Sequence, residues 1–340
     1  MSLRTLHRNR KRSIQKNDGC HEKGITMPTP SIAILYEHPQ WFKPLFAELD
    51  RRDVRYDKIH INGHYFDPCD HVFPYSLMVN RVSAYPSTTS VPGVVLYVKQ
   101  YLALLEHHGV RVINGWRSYE AGTSKALQMS IFSQMGLNTP KSRVIHDAGQ
   151  AVAAAGGLHY PVLVKPNVGG SGAGIVLFNT PGELSRAADA GRIDLGIDQV
   201  ALVQEYLTPK DDCIYRVEIL NDTFLYGIRL PILAESFNYC PADGCNIDRF
   251  DHCPLGRTST PAGSGIAAFD PPAEVIEKLK AVIAATGADL GGVEYLVNAA
   301  DDRPYFYDIN PLSNFVADAV SVVGFDPIPR FVDFILEQAG

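Results

Sequence analysis

The stretch Tyr160–Asn179, YPVLVKPNVGGSGAGIVLFN, decides the fold. Two apolar runs, PVLV and GIVLF, flank a loop of small residues, and Lys165 stands just before that loop. Gly169, Gly170, Gly172 and Gly174, with Ser171 among them, give a backbone without bulk whose N–H groups can turn inward as an anion nest. Lys165 adds a mobile point charge suited to a phosphate oxygen. The order of these parts separates the loop from two commoner glycine motifs. A Walker loop carries its Lys after the glycines and opens a helix. A Rossmann fingerprint also runs from strand to helix, whereas here β-branched and aromatic residues resume at once. The reading is a glycine-tipped hairpin lying over a nucleotide as a lid. The plain alternative is a flexible hairpin tip with a solvated Lys, and the rest of the chain decides between them.

The second informative stretch is Gly291–Pro311, GGVEYLVNAADDRPYFYDINP. Two strands pairing symmetrically about Asp301 would set Glu294 opposite Asp308. Opposed like charges with Cβ atoms about 5 Å apart are destabilising unless a cation lies between them. Asn310 follows Asp308 by two residues and shares its face. Two carboxylates and an amide oxygen form a hard oxygen site suited to Mg²⁺, completed by water and phosphate. The alternative is a solvated edge hairpin, against which both acids sit inside apolar runs.

The 340 residues suggest two or three lobes, and 46% hydrophobic with 20% charged residues describes a soluble globular protein. Residues 1–29 carry Arg4, Arg8, Arg10, Lys11, Arg12, Lys16 and Lys23 against Asp18 and Glu22. With a net charge of −6 overall, that +5 head leaves a body of −11, which argues against nucleic acid as a partner. The head has no apolar core of a secretory signal, and Met27 reads as a natural start. No apolar run approaches a membrane span, so no membrane partner is expected. Six scattered cysteines suit reduced thiols and a cytoplasmic location. Cys240, Cys245, His252 and Cys253 lack paired C-x-x-C knuckles, which favours a substrate-contacting loop over a zinc site.

In chain order, SIAILYE, RYDKIHIN, SLMVNRVSA and VRVING read as strands alternating with helices, an α/β lobe with a mostly parallel sheet. Asn80 and Arg81 close the third of these strands, where ligands bind in α/β sheets. SYEAGTSKALQMSIFSQMG reads as one helix with Leu127, Ile131 and Met135 stacked on its buried face, and Lys125 need not share that stripe. Thr180 and Glu183 form a capping box. CIYRVEIL and FLYGIRLP form a hairpin turning at Asn221-Asp222, with Arg216 and Arg229 inside its strands. Ser313, Asn314 and Phe315 follow the acidic hairpin toward the substrate region. His107 and His108 read as helix-end caps.

A glycine hairpin, a preceding Lys and an E…DIN hairpin in this order resemble the ATP-grasp superfamily, with the ribosomal-protein glutamate-ligase and glutathione-synthetase-like branches closest. The resemblance implies α+β lobes clamping ATP behind an N-terminal parallel α/β pre-ATP-grasp domain. Its domains would be a basic extension over 1–29, the pre-ATP-grasp domain over 30–120, the lid lobe over 121–207 and the catalytic lobe over 208–340. It matches Lys125 and Lys165 to the two phosphate-binding lysines and Gly169–Gly174 to the phosphate-covering loop. Glu205, Tyr206 and Leu207 match the adenine hinge, Asp212 is a candidate for ribose, and Glu294, Asp308 and Asn310 match the Mg²⁺ ligands. Arg216 and Arg229 match arginines that contact phosphate or an acyl-phosphate. Asp308 departs from the usual Glu, shortening the reach of that ligand.

The implied activity is an ATP-dependent carboxylate–amine ligase using ATP and Mg²⁺, or Mn²⁺ in its place. Its partners would be small carboxylate and amine substrates, an amino acid or a peptide, with a homo-oligomer as the assembly to test. Two other readings remain open: an ATP-grasp phosphotransferase of the inositol-phosphate-kinase type, which the acidic body disfavours, and an ATP-binding module without catalysis.

Overall fold

A computed structural model describes residues 32–85, 91, 93–170, 172–232 and 265–340. The basic head, Ser171, Cys240, Cys245, His252 and Cys253 lie outside the described residues. The first sheet holds β1 (Ile32–Tyr36), β2 (Tyr56–His60), β3 (Leu77–Arg81) and β4 (Arg111–Ile113) in the order β2-β1-β3-β4, all parallel. Both faces of β1 and β3 are covered, which is why they read as unbroken apolar runs. Ile32, Ile34, Leu77 and Val79 face α1 (Lys43–Arg51), while Ala33, Leu35 and Met78 face α2 (Val94–His107).

Two short connecting helices follow, α3 (Trp116–Gly122) and α4 (Lys125–Gln134). The single helix expected from SYEAGTSKALQMSIFSQMG is broken, because Ser124 is extended and its hydroxyl accepts from Leu127 N at 3.2 Å as an N-cap. The break rotates the buried face. Lys125, Gln128, Met129, Ile131 and Phe132 point inward, Leu127 is 38% exposed, and Met135 falls on the C-cap.

The lid sheet runs β5-β8-β6-β7 and is antiparallel throughout: β5 (Ser142–Ile145), β6 (Val162–Pro166), β7 (Val176–Phe178) and β8 (Ala201–Glu205). The glycine loop joins β6 to β7 as a hairpin. Helices α5 (Ala151–Ala154) and α6 (Pro181–Asp189) close the lid's own core over Val162, Val164, Leu184 and Val203. Thr180 caps α6 through Glu183 N, while the Glu183 carboxylate reaches one residue further back, to Asn179 N at 2.8 Å.

The third sheet is antiparallel, β11-β10-β9-β12-β13, from β9 (Cys213–Leu220), β10 (Thr223–Pro231), β11 (Ala267–Ala268), β12 (Leu290–Val297) and β13 (Pro304–Asn310). Helix α7 (Ala273–Thr286) packs with α4 over one face. Past the short α8 (Ala319–Val323), the last helix, α9 (Ile328–Ala339), returns to the first lobe and buries Phe331, Val332, Phe334 and Ile335 with β1 and α1. The first and third lobes therefore share a core, and the lid keeps a separate one. Asn114 ties the shared pair: its Oδ1 accepts from Asp289 N and Leu290 N at 2.8 and 3.0 Å, and its Nδ2 donates to Leu290 O and Pro311 O.

Candidate active site

Period-two alternation builds the site from the strands of two sheets. On β6, Leu163 and Lys165 line a cavity while Val162 and Val164 turn into the lid core. Across the cavity the third sheet supplies Ile214 and Arg216 from β9, Glu294 and Leu296 from β12, and Asp308 and Asn310 from β13. Leu163, Ile214 and Leu296 make an apolar slot. The charged residues stand two positions along the same strands. Lys125 enters from the start of α4 and Tyr85 from the first lobe.

The two stretches singled out in the sequence meet here. Glu294 faces Asp308 across β12 and β13, and Asn310 faces Gly292. Lys125 Nζ donates to Asp308 Oδ1 at 2.7 Å, and Arg216 Nη1 donates to Glu294 Oε1 at 3.2 Å. Burial pushes the Glu294 carboxyl up to about 7; Arg216 opposes that rise and the charge of Asp308 adds to it. Among the described residues no cluster of three His, Cys, Asp or Glu side chains forms, because the third candidate donor is the amide of Asn310. Opposed carboxylates, one of them resisting ionisation, fit a hard dication, and Asn310 Oδ1, which accepts from Leu312 N at 3.0 Å, has a second lone pair to add.

Lys165 is 4% exposed and has no ion pair of its own among the described residues. Burial pulls its ammonium down from 10.5 to about 7, and the charge of Lys125 lowers it further against the pull of Asp308 and Glu294. The glycine loop beyond it is tightly constrained in two places. A Cβ at Gly170 would lie 2.4 Å from the Tyr85 ring. Gly174 has φ +75° and would press a Cβ to 2.8 Å from Pro166. Gly172 also takes positive φ, while Gly169 has its nearest neighbour at 3.8 Å.

At the hinge, Glu205 turns its carboxylate to His159, accepting from the backbone N and from Nδ1 at 2.9 Å each. Its side chain is thus engaged on the outer side, and Glu205, Tyr206 and Leu207 edge the cavity. Two expected residues fall elsewhere. Asp212 is exposed on a single turn, Lys210–Asp212, and does not line the cavity. Arg229 is exposed opposite Tyr215, on the α7 side of the sheet. A bulge between Phe224 and Tyr226 shifts the hairpin register by one residue, and one residue flips the face. Arg229 therefore does not join Arg216.

Asn80 and Arg81 are buried ties between lobes: Asn80 Nδ2 donates to Asn114 O, and an Arg81 amine donates to Ser313 O and to Asn314 Oδ1. His108 is the C-cap of α2 and packs its ring near His71, and His107 ends the helix. Tyr85 and Glu218 carried no reading from the sequence. Glu218 was legible there, since an acid two residues after Arg216 in CIYRVEIL shares its face. Tyr85, in the coil after β3, had no such signal.

Residues 122–231 match the family model described as the RimK-like ATP-grasp domain. Superposition on solved structures covers most of the chain. The ATP-grasp ligase PsnB complexed with a minimal precursor aligns with TM-score 0.63 and 16% identity over 91% of this chain and 99% of that one. The chain has the ATP-grasp fold. D-cycloserine synthetase DcsG aligns with TM-score 0.63 and 15% identity over 91% and 100%. D-alanine–D-alanine ligase from Bacillus anthracis complexed with ATP aligns with TM-score 0.62 and 16% identity over 92% and 97%. Among curated proteins, the large chain of carbamoyl phosphate synthase from Archaeoglobus fulgidus is 26% identical over 244 residues, 67% of this chain and 20% of the relative. That of Micrococcus luteus is 26% identical over 232 residues, 65% and 19%. The matched part of this chain thus spans about a fifth of the length of the curated relatives it matches. None of its described helices is long and apolar enough to cross a membrane.

Proposed function

We propose that the chain is an ATP-dependent carboxylate–amine ligase that forms an amide through an acyl-phosphate and releases ADP and phosphate. One observation carries the reading: the buried ammonium of Lys165, without an ion pair of its own among the described residues, shares a cavity with the opposed carboxylates of Glu294 and Asp308. Such walls call for an anion and a dication together, and a metal-bound triphosphate is both. The apolar slot of Leu163, Ile214 and Leu296 suits a flat base, with Glu205–Leu207 as the hinge beside it.

In this reading Lys125, Lys165 and the N–H groups of the glycine loop hold the phosphates and spread the charge that develops on them. Glu294, Asp308 and Asn310 would hold Mg²⁺, or Mn²⁺, which supplies charge neutralisation at the phosphoryl oxygens. A substrate carboxylate oxygen forms the new P–O bond at the γ-phosphorus as the bond to ADP breaks. An amine then attacks the acyl carbon, phosphate leaves, and the amine gives up a proton. Arg216 offers its guanidinium to the transferred group, and the closed lid excludes water from the acyl-phosphate. The names of PsnB and the D-alanine–D-alanine ligase as ligases, and of DcsG as a synthetase, favour this chemistry over transfer to a hydroxyl.

The deciding experiment incubates the chain with Mg·ATP and pools of amino acids and dipeptides, following phosphate and product masses. Phosphate release that needs both a carboxylate and an amine, with a product of their summed mass less water, supports the ligase. A phosphorylated product without an amide replaces it by a phosphotransferase, and failure to bind Mg·ATP removes both.

A further inference from the structure

We propose that Glu218 is a positioning residue, which holds Arg216 aimed at the phosphoryl end of the cavity; the kinetic part of its test rests on the ligase reading above. Three neighbouring strands carry two adjacent rows of side chains, Arg216–Glu294–Asp308 and Glu218–Gly292–Asn310. Arg216 is the basic member of these rows and stands between two carboxylates. Its Nε donates to Glu218 Oε1 at 2.6 Å, and its Nη1 donates to Glu294 Oε1 at 3.2 Å. Gly292 leaves the room for this arrangement, since a Cβ there would lie 2.7 Å from Glu218 Oε1 and 2.8 Å from Arg216 Nε.

Glu218 is a poor choice for stability alone. It is 1% exposed in the middle of a strand, and its Oε2 has no hydrogen-bond partner among the described residues. A buried carboxylate so incompletely satisfied costs stability that an apolar residue would not. What it does is share the guanidinium. Were position 218 neutral, Glu294, a candidate metal ligand, would lose its rival carboxylate for the guanidinium. With Glu218 gripping Nε, the guanidinium plane is fixed and Glu294 keeps charge for a cation. Tyr226 stands opposite Glu218 on β10, and its hydroxyl accepts from Val316 N at 3.0 Å, which covers the pair from the first-lobe side.

The test compares the full chain with Glu218→Gln, Arg216→Met and the double variant. The probe is phosphate release from Mg·ATP with the amino-acid and dipeptide pool, alongside calorimetric binding of Mg·AMP-PNP. Glu218→Gln keeps an acceptor for Nε and loses the charge. Expected are a fall in kcat of roughly tenfold to a hundredfold, a KM for ATP within about twofold, and no further loss when Glu218→Gln is added to Arg216→Met. An unchanged kcat, or losses that multiply in the double variant, overturns the proposal, because a merely structural role adds to the loss of Arg216. If the parent binds Mg·AMP-PNP yet turns over no pool, the ligase reading fails and the proposal is decided by crystal structures. A guanidinium turned away from position 218 and drawn further onto Glu294 in Glu218→Gln supports it, and an unmoved one overturns it. Should Glu218→Gln not fold, Glu218→Met paired with Arg216→Met removes both charges and is compared with Arg216→Met alone by the same kcat ratio.

Discussion

Lys125 Nζ and Asp308 Oδ1 lie 2.7 Å apart across 183 residues of chain, joining the first residue of α4 to the last strand of the third sheet. A cation at a helix N-terminus opposes the macrodipole, so the helix itself gives Lys125 no reason to be there. The carboxylates of Asp308 and Glu294 do. Gln128, one turn later, fixes the approach by donating to Ile309 O at 2.9 Å and accepting from Ile309 N at 3.1 Å.

Removing that cation should change how the apo protein responds to metal. Lys125→Met leaves Asp308 and Glu294 facing each other with only Arg216 and Lys165 as near cations among the described residues, which costs on the order of 1–3 kcal/mol. We expect a lower melting temperature than the parent's, and a larger upward shift on adding Mg²⁺, since the variant's carboxylates no longer have Lys125 to share. Differential scanning calorimetry with and without Mg²⁺ measures both. Equal metal-induced shifts in parent and variant would show that these carboxylates do not take the cation.

Lys165 gives a pH signature to ligand binding. Its ammonium is held at about 7, by burial first and by Lys125 second. A phosphate placed beside it favours the charged form and raises that value. At pH 8 the free group is mostly neutral, so binding takes up close to one proton. Below pH 6 it is already charged and uptake vanishes. Calorimetric titration of Mg·AMP-PNP in buffers of different ionisation enthalpy reads the proton directly, and Lys165→Met should lose the pH 8 uptake. Uptake that persists in the variant assigns the proton to another group.

A second buried group affects stability rather than binding. Glu37, at the exit of β1, accepts from Ser83 N at 2.6 Å, and burial pushes its carboxyl from 4.5 up to about 8. His38 Nε2 lies 3.6 Å from it. Because the folded value is the higher one, the stability tied to the proton is complete below about pH 4.5 and is lost as pH rises through 8. Glu37→Gln keeps the acceptor for Ser83 and has no proton to lose. Between pH 5 and 8 the parent should lose on the order of 3 kcal/mol relative to this variant, measured by urea unfolding. Parallel pH profiles for the two would place the Glu37 proton on water instead.

What the sequence made legible follows from where local pattern and tertiary structure agree. The glycine hairpin needed only its flanking strands, and the facing of Glu294 and Asp308 needed only period two and a central turn. The symmetric register holds from Gly292 to Glu294 and slips between Glu294 and Tyr295, so the expectation held at the residues that mattered. Arg229, matched only through the family resemblance, faces away from Arg216 because of a bulge after Phe224 that leaves no mark in FLYGIRLP. At Ser124 an N-cap signal competes with the apolar spacing around it, and in the structure the cap prevails. The return of α9 to the first lobe is a matter of which apolar face meets which, and helical periodicity carries no address.

The contact between Gly170 and Tyr85 separates the loop's role from its mere presence. Gly170 has no need of glycine for its backbone, since its φ is not positive, yet a Cβ there meets a rigid ring at 2.4 Å. A Cβ at Gly169, one residue earlier, would meet nothing closer than Pro166 at 3.8 Å among the described residues beyond its chain neighbours. Gly170→Ala should therefore lift the loop or displace Tyr85, weakening Mg·AMP-PNP binding by roughly tenfold, while Gly169→Ala stays within about twofold of the parent. Global stability should change by less than about 1 kcal/mol in both, because a loop tip contributes little to the lid core. Adding Tyr85→Ala to Gly170→Ala removes the ring and should recover part of the affinity. If Gly169→Ala and Gly170→Ala weaken binding equally, Tyr85 does not set the loop's height over the phosphates.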